Sequence, residues 1–296
     1  MKNLSKQTQG YIYAIMAFSF WGLVPIYFKA LSSVSPGEIL AHRIMWSVVF
    51  LCGIVLFSKQ FSAFKLLLKD VSKIKFLVLS SLLVSTNWLV FIWAVSNSMI
   101  TEASLGYYIN PLVNVALGII VFKDKPNKAQ MLAIFLAFLA IAYQVFTIGS
   151  LPIVSLTLAF SFAFYGLIRK HINLPSVTGL YIETLILFPL ALLYFSYLIS
   201  TSQNVFTFSP FSMTSALLIL AGVITVVPLL WFNAAATKIS LIHIGFFQYI
   251  GPTISFLLAV LVYQEPFGKD KLITFGLIWI ALGVFSIDAY LRHKKV

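Results

Sequence analysis

The sequence predicts an all-α polytopic membrane protein, with ten transmembrane helices in two inverted five-helix repeats and both termini cytoplasmic. Three observations predict it. Of 296 residues, 60% are hydrophobic and only 9% charged, too little charge to solvate an aqueous fold of that length. Apolar runs of about 18 to 23 residues recur along the chain, each long enough to cross ~30 Å of hydrocarbon as a helix. The chain also resembles itself weakly at an offset near 141 residues.

The spans fall at 10–30, 36–57, 75–96, 103–122, 128–147, 151–169, 178–199, 213–235, 243–263 and 270–290. The first follows Lys2 and Lys6; its length, and the lack of a small-residue cleavage site, read as a retained helix rather than a signal peptide. Segment 58–74 is Lys-rich with apolar Phe61, Phe64, Leu67, Leu68 and Val71, the pattern of an amphipathic helix on the inner surface. Segment 200–212 is the other long loop. The runs lack the alternation of a β-barrel. Cys52 is the only cysteine, which excludes an internal disulfide and a cysteine-built metal site.

The net charge of +12 is distributed unevenly. The segments assigned to the inner side carry Lys2, Lys6, Lys59, Lys65, Lys69, Lys73, Lys75, Lys123, Lys125, Lys128, Arg169, Lys170, Lys238, Arg292, Lys294 and Lys295. The outer side keeps Lys29, Lys269 and Lys271. This bias orients the chain with both termini inside and makes the basic charge a topology signal, which also suits an anionic inner leaflet, not a nucleic-acid footprint.

The internal match pairs "FWGL" (20–23) with "FYGL" (164–167), "SLGYYINP" (104–111) with "HIGFFQYIGP" (243–252) and "VFKD" (121–124) with "VYQE" (262–265). Five spans per copy is odd, so the second copy enters upside down. The units are 1–148 and 149–296, and inverted repeats of this kind meet at a midplane site where substrate binds.

Ionisable residues inside spans are costly and usually face a cavity or a partner. Arg43 lies about 10 Å along the second span, and Glu183 about as deep in the seventh from the opposite side. The offset sets His42 against Glu183. Arg43 suits an anionic group, because its planar fork grips carboxylates. Glu183, His42 and Glu38 are the proton-coupling candidates, although Glu38 reads equally as a headgroup-level residue. Asn87, Asn110, Gln248, Trp21, Trp88, Tyr107, Tyr165 and Tyr249 complete the substrate-binding candidates; helix packing and interface belts also explain such residues. Pro25, Gly106, Pro111, Pro228, Gly251 and Pro252 are hinge candidates, because a proline inside a helix frees a backbone carbonyl. No nucleophile elbow, zincin motif or nucleotide loop is present, so neither an enzyme nor ATP drive is expected, and no cofactor or metal.

Taken with "NWLVFIWAVSN" (87–97), "EASLGYYINPL" (102–112), "FSFAFYGLIRK" (160–170), "TVVPLLWFNAAAT" (225–237) and "GFFQYIGPT" (245–253), the chain resembles the drug/metabolite transporter superfamily of EamA type, in its RarD-like, chloramphenicol-sensitivity subgroup. The resemblance implies a multi-pass secondary carrier of the inner (plasma) membrane, an exporter, with a cavity between spans 1–4 and 6–9 and with spans 5 and 10 peripheral. The Gly-Glu usual after the fourth and ninth helices reads here Lys123-Asp124 and Gln264-Glu265, taken as helix-end residues. Expected partners are a small-molecule substrate and the lipid bilayer; a homodimer stays open. The rival readings are a membrane regulatory protein without turnover and a channel-like facilitator.

Overall fold

The computed structural model describes residues 4–57, 61–96, 100–148, 153–208, 212–262 and 268–293. Among them the chain is helical throughout: α1 (Lys6–Ala30), α2 (Pro36–Phe57), α3 (Phe61–Leu68), α4 (Val71–Ser96), α5 (Ile100–Phe122), α6 (Lys128–Ile148), α7 (Ile153–Ile172), α8 (Ser176–Ser200), α9 (Met213–Ala236), α10 (Leu241–Gln248), α11 (Ile250–Leu257) and α12 (Lys269–His293). Seven are long and apolar enough to cross a membrane, namely α1, α2, α4, α6, α7, α8 and α9. The apolar stretches Gly106–Phe122 of α5 and Leu272–Asp288 of α12 are shorter. Side chains such as Leu23, Leu56, Leu82, Phe138, Leu193 and Ile280 stay exposed, as on a lipid-facing surface. The protein is a polytopic α-helical membrane protein.

Helix ends follow local chemistry. The Ser5, Ser212 and Ser240 side chains accept from the amides of Thr8, Ser215 and His243, capping α1, α9 and α10. Before α6, Asn127 Oδ1 accepts from the Gln130 amide at 2.9 Å, and Gln130 Oε1 accepts from the Asn127 amide at 3.0 Å. Pro36 opens α2, where its missing N–H costs nothing. Asn173 takes a positive φ of 45° in the tight α7–α8 turn.

The expected amphipathic segment is helical: α3 lays Phe64 on Tyr181 of α8 at 5.2 Å and leaves Phe61, Leu66 and Leu68 exposed. The ninth expected span is not one helix. It breaks between Gln248 and Ile250, and a π-helical turn covers Leu258–Val262. Pro252 cannot donate to Gln248, and Gly251 beside it adds backbone freedom; the chain tightens instead through the Tyr249 amide to Phe246 O at 3.3 Å. Pro25, Pro111 and Pro228 lie inside α1, α5 and α9 without interrupting them. Gln264 and Glu265 lie outside the described residues.

Packing is largely between the two halves of the chain. Helix α1 lies on α9 and α11, α4 on α7, α5 on α7 and α10, α2 on α8 and α9, and α6 on α12. Small residues allow close approach. A Cβ on Gly22 of α1 would stand 2.6 Å from Ile254, and one on Gly222 of α9 2.5 Å from the Trp46 carbonyl carbon. The α6–α12 pair meets through Ala133, Ala137, Ala140 and Ala281, all fully buried. Tyr11 and Phe285 both pack on His243, so the start of α1 and the end of α12 meet at one end of the bundle, called basal below. The opposite, apical end carries Glu38 and the α8–α9 loop.

Candidate functional site

Two buried polar centres lie one above the other in the bundle. On α4 they are marked by Trp88 and Ser80, and on α9 by Thr225 and Asn233; eight residues separate each pair, about 12 Å of helix.

The apical centre is built on Arg43, which is 9% exposed. Its Nε donates to Thr225 Oγ1 at 2.9 Å, and that hydroxyl donates to Ala221 O at 2.7 Å. The guanidinium stacks over Trp88 at 4.6 Å and reaches the Phe28 ring at 5.7 Å. Phe91 bridges Phe28 and Tyr107, with ring separations of 6.2 and 5.6 Å. Tyr107 keeps 40% of its surface accessible. Among the described residues no carboxylate pairs with Arg43, and its terminal nitrogens have no hydrogen-bond acceptor. Sequence reasoning placed Arg43, Trp88 and Tyr107 in one site, and the structure brings them together.

The basal centre is built on Glu183, 1% exposed. Ser80 Oγ donates a short hydrogen bond to Oε1, and the Tyr165 hydroxyl reaches Oε2 at 3.5 Å. Asn233 Nδ2 donates to that hydroxyl at 3.0 Å. Arg169 Nη1 stands 3.6 Å from Oε1. The sequence counts Arg169 among the basic residues of the inner side; here it is 1% exposed and turned into the bundle from the last turn of α7. Space for it comes from Gly179, where a Cβ would stand 2.0 Å from Nη1.

Between the centres the interior is packed with rings rather than open. Trp21 lies 5.5 Å from Phe18, 5.6 Å from Phe162 and 5.8 Å from Phe232; Phe232 lies 5.1 Å from Phe162 and stacks on Tyr165 at 6.0 Å. Beside them runs an amide network. Gln248 Nε2 and Asn114 Nδ2 donate to Asn110 Oδ1 at 2.5 and 3.0 Å, and Asn110 Nδ2 donates to Ala159 O of α7 at 2.5 Å. Asn87 Nδ2 donates to Leu158 O and Ser161 Oγ, tying α4 to α7. Asn114 Oδ1 is buried with no hydrogen-bond partner among the described residues.

Other candidates stand apart from both centres. The Glu38 carboxylate, fully buried, accepts from the amides of Val205 (2.8 and 3.0 Å) and Phe206 (2.9 Å), fastening the α8–α9 loop to α2. His42 lies between Phe195 and Phe206 at 4.8 and 4.6 Å, and its Nδ1 accepts from Trp46 Nε1 at 3.1 Å. Tyr249 faces α5, where its hydroxyl donates to Tyr108 O at 3.4 Å. Gly251 faces the Phe18 carbonyl, and Gly106 packs on Ser155 of α7.

Comparison with known proteins adds the lineage. The EamA-like transporter family profile matches residues 8–146. The chain is 47% identical over 292 residues to Protein RarD of Escherichia coli (strain K12), with 98% of each chain covered. The chain belongs to the EamA-like transporters, in their RarD-type branch. Another relative is the uncharacterized transporter YojE of Bacillus subtilis (strain 168), 44% identical with 95% of this chain and 94% of that protein covered. The chloramphenicol-sensitive protein RarD of Pseudomonas aeruginosa is 26% identical, with 97% and 96% covered. A solved crystal structure matches at a TM-score of 0.70 and 15% identity, covering 95% of this chain and 98% of the other, a likeness of fold. The EamA-like, RarD-type membership makes this chain a membrane transporter.

Proposed function

We propose that the protein is a secondary carrier exporting a small carboxylate-bearing metabolite or drug-like solute across the inner membrane by alternating access, driven by protons. In this reading ten spans form two inverted units, 1–148 and 149–296, with both termini cytoplasmic. The family profile's reach over residues 8–146 and the packing of α1 on α9 and of α4 on α7 support the two-unit division. The observation that carries the reading is Arg43: a guanidinium inside a membrane span, stacked on Trp88, without a carboxylate partner among the described residues. A cation so placed is costly unless it serves a ligand or a water-filled path. Arg43 holds the solute's anionic group at the apical centre. Glu183 carries the exchanged proton at the basal centre, and the ring cluster between them separates the two faces of the membrane. His42 and Glu38, both occupied at the apical loop, leave the proton to Glu183.

The test is counterflow in proteoliposomes, screening carboxylates, amino acids, nucleosides and quaternary amines. Saturable counterflow that falls in Arg43→Ala and loses its pH dependence in Glu183→Gln supports the proposal. Flux without saturation identifies a channel, absence of flux identifies a regulator, and unchanged counterflow in both variants defeats the residue assignment.

A further inference from the structure

The basal pair is lopsided. The Glu183 carboxylate accepts from Ser80 and is approached at 3.5 Å by the Tyr165 hydroxyl, which also has Asn233 Oδ1 at 3.1 Å, and it faces Arg169. Arg169 is served poorly: Nε, Nη1 and Nη2 are all buried, and none has a hydrogen-bond partner among the described residues. At 3.6 Å, Nη1 and Oε1 attract through charge but do not form a hydrogen bond. A guanidinium is best compensated by the two parallel bonds of a carboxylate fork, and here the fork is empty.

We propose that Arg169 is a second anion-binding residue, a basal seat for a small carboxylate, which Glu183 keeps occupied by charge alone. The inference rests on the carrier reading above and deepens it: Arg43 and Arg169 receive the same carboxylate at the two ends of its path. An arriving carboxylate makes the fork that Glu183 does not, and Glu183 competes with it for one cation. Adding a proton to Glu183 turns the carboxylate into a neutral acid and ends the competition. The groups that face Glu183 are few. Helix α7 brings Arg169 and Tyr165, α4 brings Ser80, and α9 brings Asn233 to the Tyr165 hydroxyl. Helix α2 meets α8 elsewhere, with Cys52 at Tyr181 and His42 at Phe195, and α3 sets Phe64 on Tyr181. Arg169 therefore supplies the positive charge opposite Glu183 among the described residues.

The test uses benzoate, a small carboxylate, as probe. Binding to the purified full-length protein in detergent is measured by titration calorimetry at pH 7. Glu183→Gln is expected to tighten benzoate binding about tenfold. The gain is expected to persist in Glu183→Gln/Arg43→Gln and to disappear in Glu183→Gln/Arg169→Gln. If Glu183→Gln does not yield folded protein, Ser80→Ala weakens the carboxylate's hold more gently. It should tighten binding about threefold, and Ser80→Ala/Arg169→Lys should cancel that gain. Unchanged or weaker binding after the first substitution, or a gain that survives loss of Arg169, overturns the proposal. Absence of counterflow for every solute would fail the carrier reading alone, because benzoate binding judges Arg169 without transport.

Discussion

Arg169 Nη1 and Glu183 Oε1 face each other at 3.6 Å, both residues 1% exposed, with every side-chain donor of the arginine otherwise unpaired among the described residues. Breaking a buried pair typically costs about 3–5 kcal/mol, because the survivor is left charged and unpaired. Here the two single losses should differ. Glu183→Gln strands a guanidinium that has no other acceptor, and its cost belongs at the upper part of that range. Arg169→Met leaves a carboxylate still served by Ser80 and Tyr165 and should cost less. Thermal unfolding of the purified variants in detergent checks the order, and equal melting temperatures would refute it.

Three glycines form a graded series. A Cβ at Gly222 would meet Trp46 backbone at 2.5 Å, so α2 and α9 have to separate. At Gly179 it would meet the Arg169 side-chain tip at 2.0 Å, and that tip can swing away. At Gly53 nothing lies within 4 Å. Gly222→Ala should lose about 1–3 kcal/mol. Gly179→Ala should lose less stability while changing benzoate affinity, and Gly53→Ala should match the parent. Melting temperatures and yield of folded protein report all three.

Glu38 is the fastener of the α8–α9 loop. Its bonds from the Val205 and Phe206 amides end on an ionised acceptor, a kind contributing about 1.5–3 kcal/mol each at burial. Glu38→Ala should free residues 201–208 and speed their cleavage by an added protease several-fold, while Glu38→Gln keeps part of the hold. Cleavage at the parent rate in Glu38→Ala would remove this role.

Asp124, in the short α5–α6 connection, has its carboxyl raised above the ordinary 3.8, chiefly by burial, with Lys170 and the Leu241 and Ile242 amides opposing. A raised folded value favours the protonated form. The stability it contributes is complete below pH 3.8 and is lost as pH climbs through the raised value. Asp124→Asn mimics the protonated group, so it should melt at or above the parent at pH 7, and the difference should vanish near pH 3.5. A lower melting temperature than the parent at pH 7 would contradict the assignment.

The helices were legible because apolar length is a property of the sequence alone; packing does not alter it. The site was legible in part. Arg43 could be placed because a charge deep in an apolar run has few explanations, and Trp88 and Tyr107 did join it. Arg169 could not, because a basic residue near a span end is normally counted as solvated, and only Gly179 ten residues later marks the space it needs. Glu38 and His42 read as proton-coupling candidates, since the local sequence does not show that the α8–α9 loop, more than 160 residues on, folds back over them. Pro111 and Pro252 looked alike, yet α5 runs through its proline while the chain breaks ahead of Gly251-Pro252.

That break makes the two walls of the bundle mechanically unequal. Where α10 stops at Gln248 and α11 begins at Ile250, the regular ladder is interrupted and Tyr249 links the two through its amide to Phe246 O and the Thr253 amide on its own carbonyl, so tilting the eight-residue α10 strains few backbone bonds. On the α5 side the helix runs on through Pro111, missing only the bond that the proline cannot donate to Tyr107 O. Under the proposed alternating access, movement begins at the joint around Tyr249, with α5 acting as the post against which it turns.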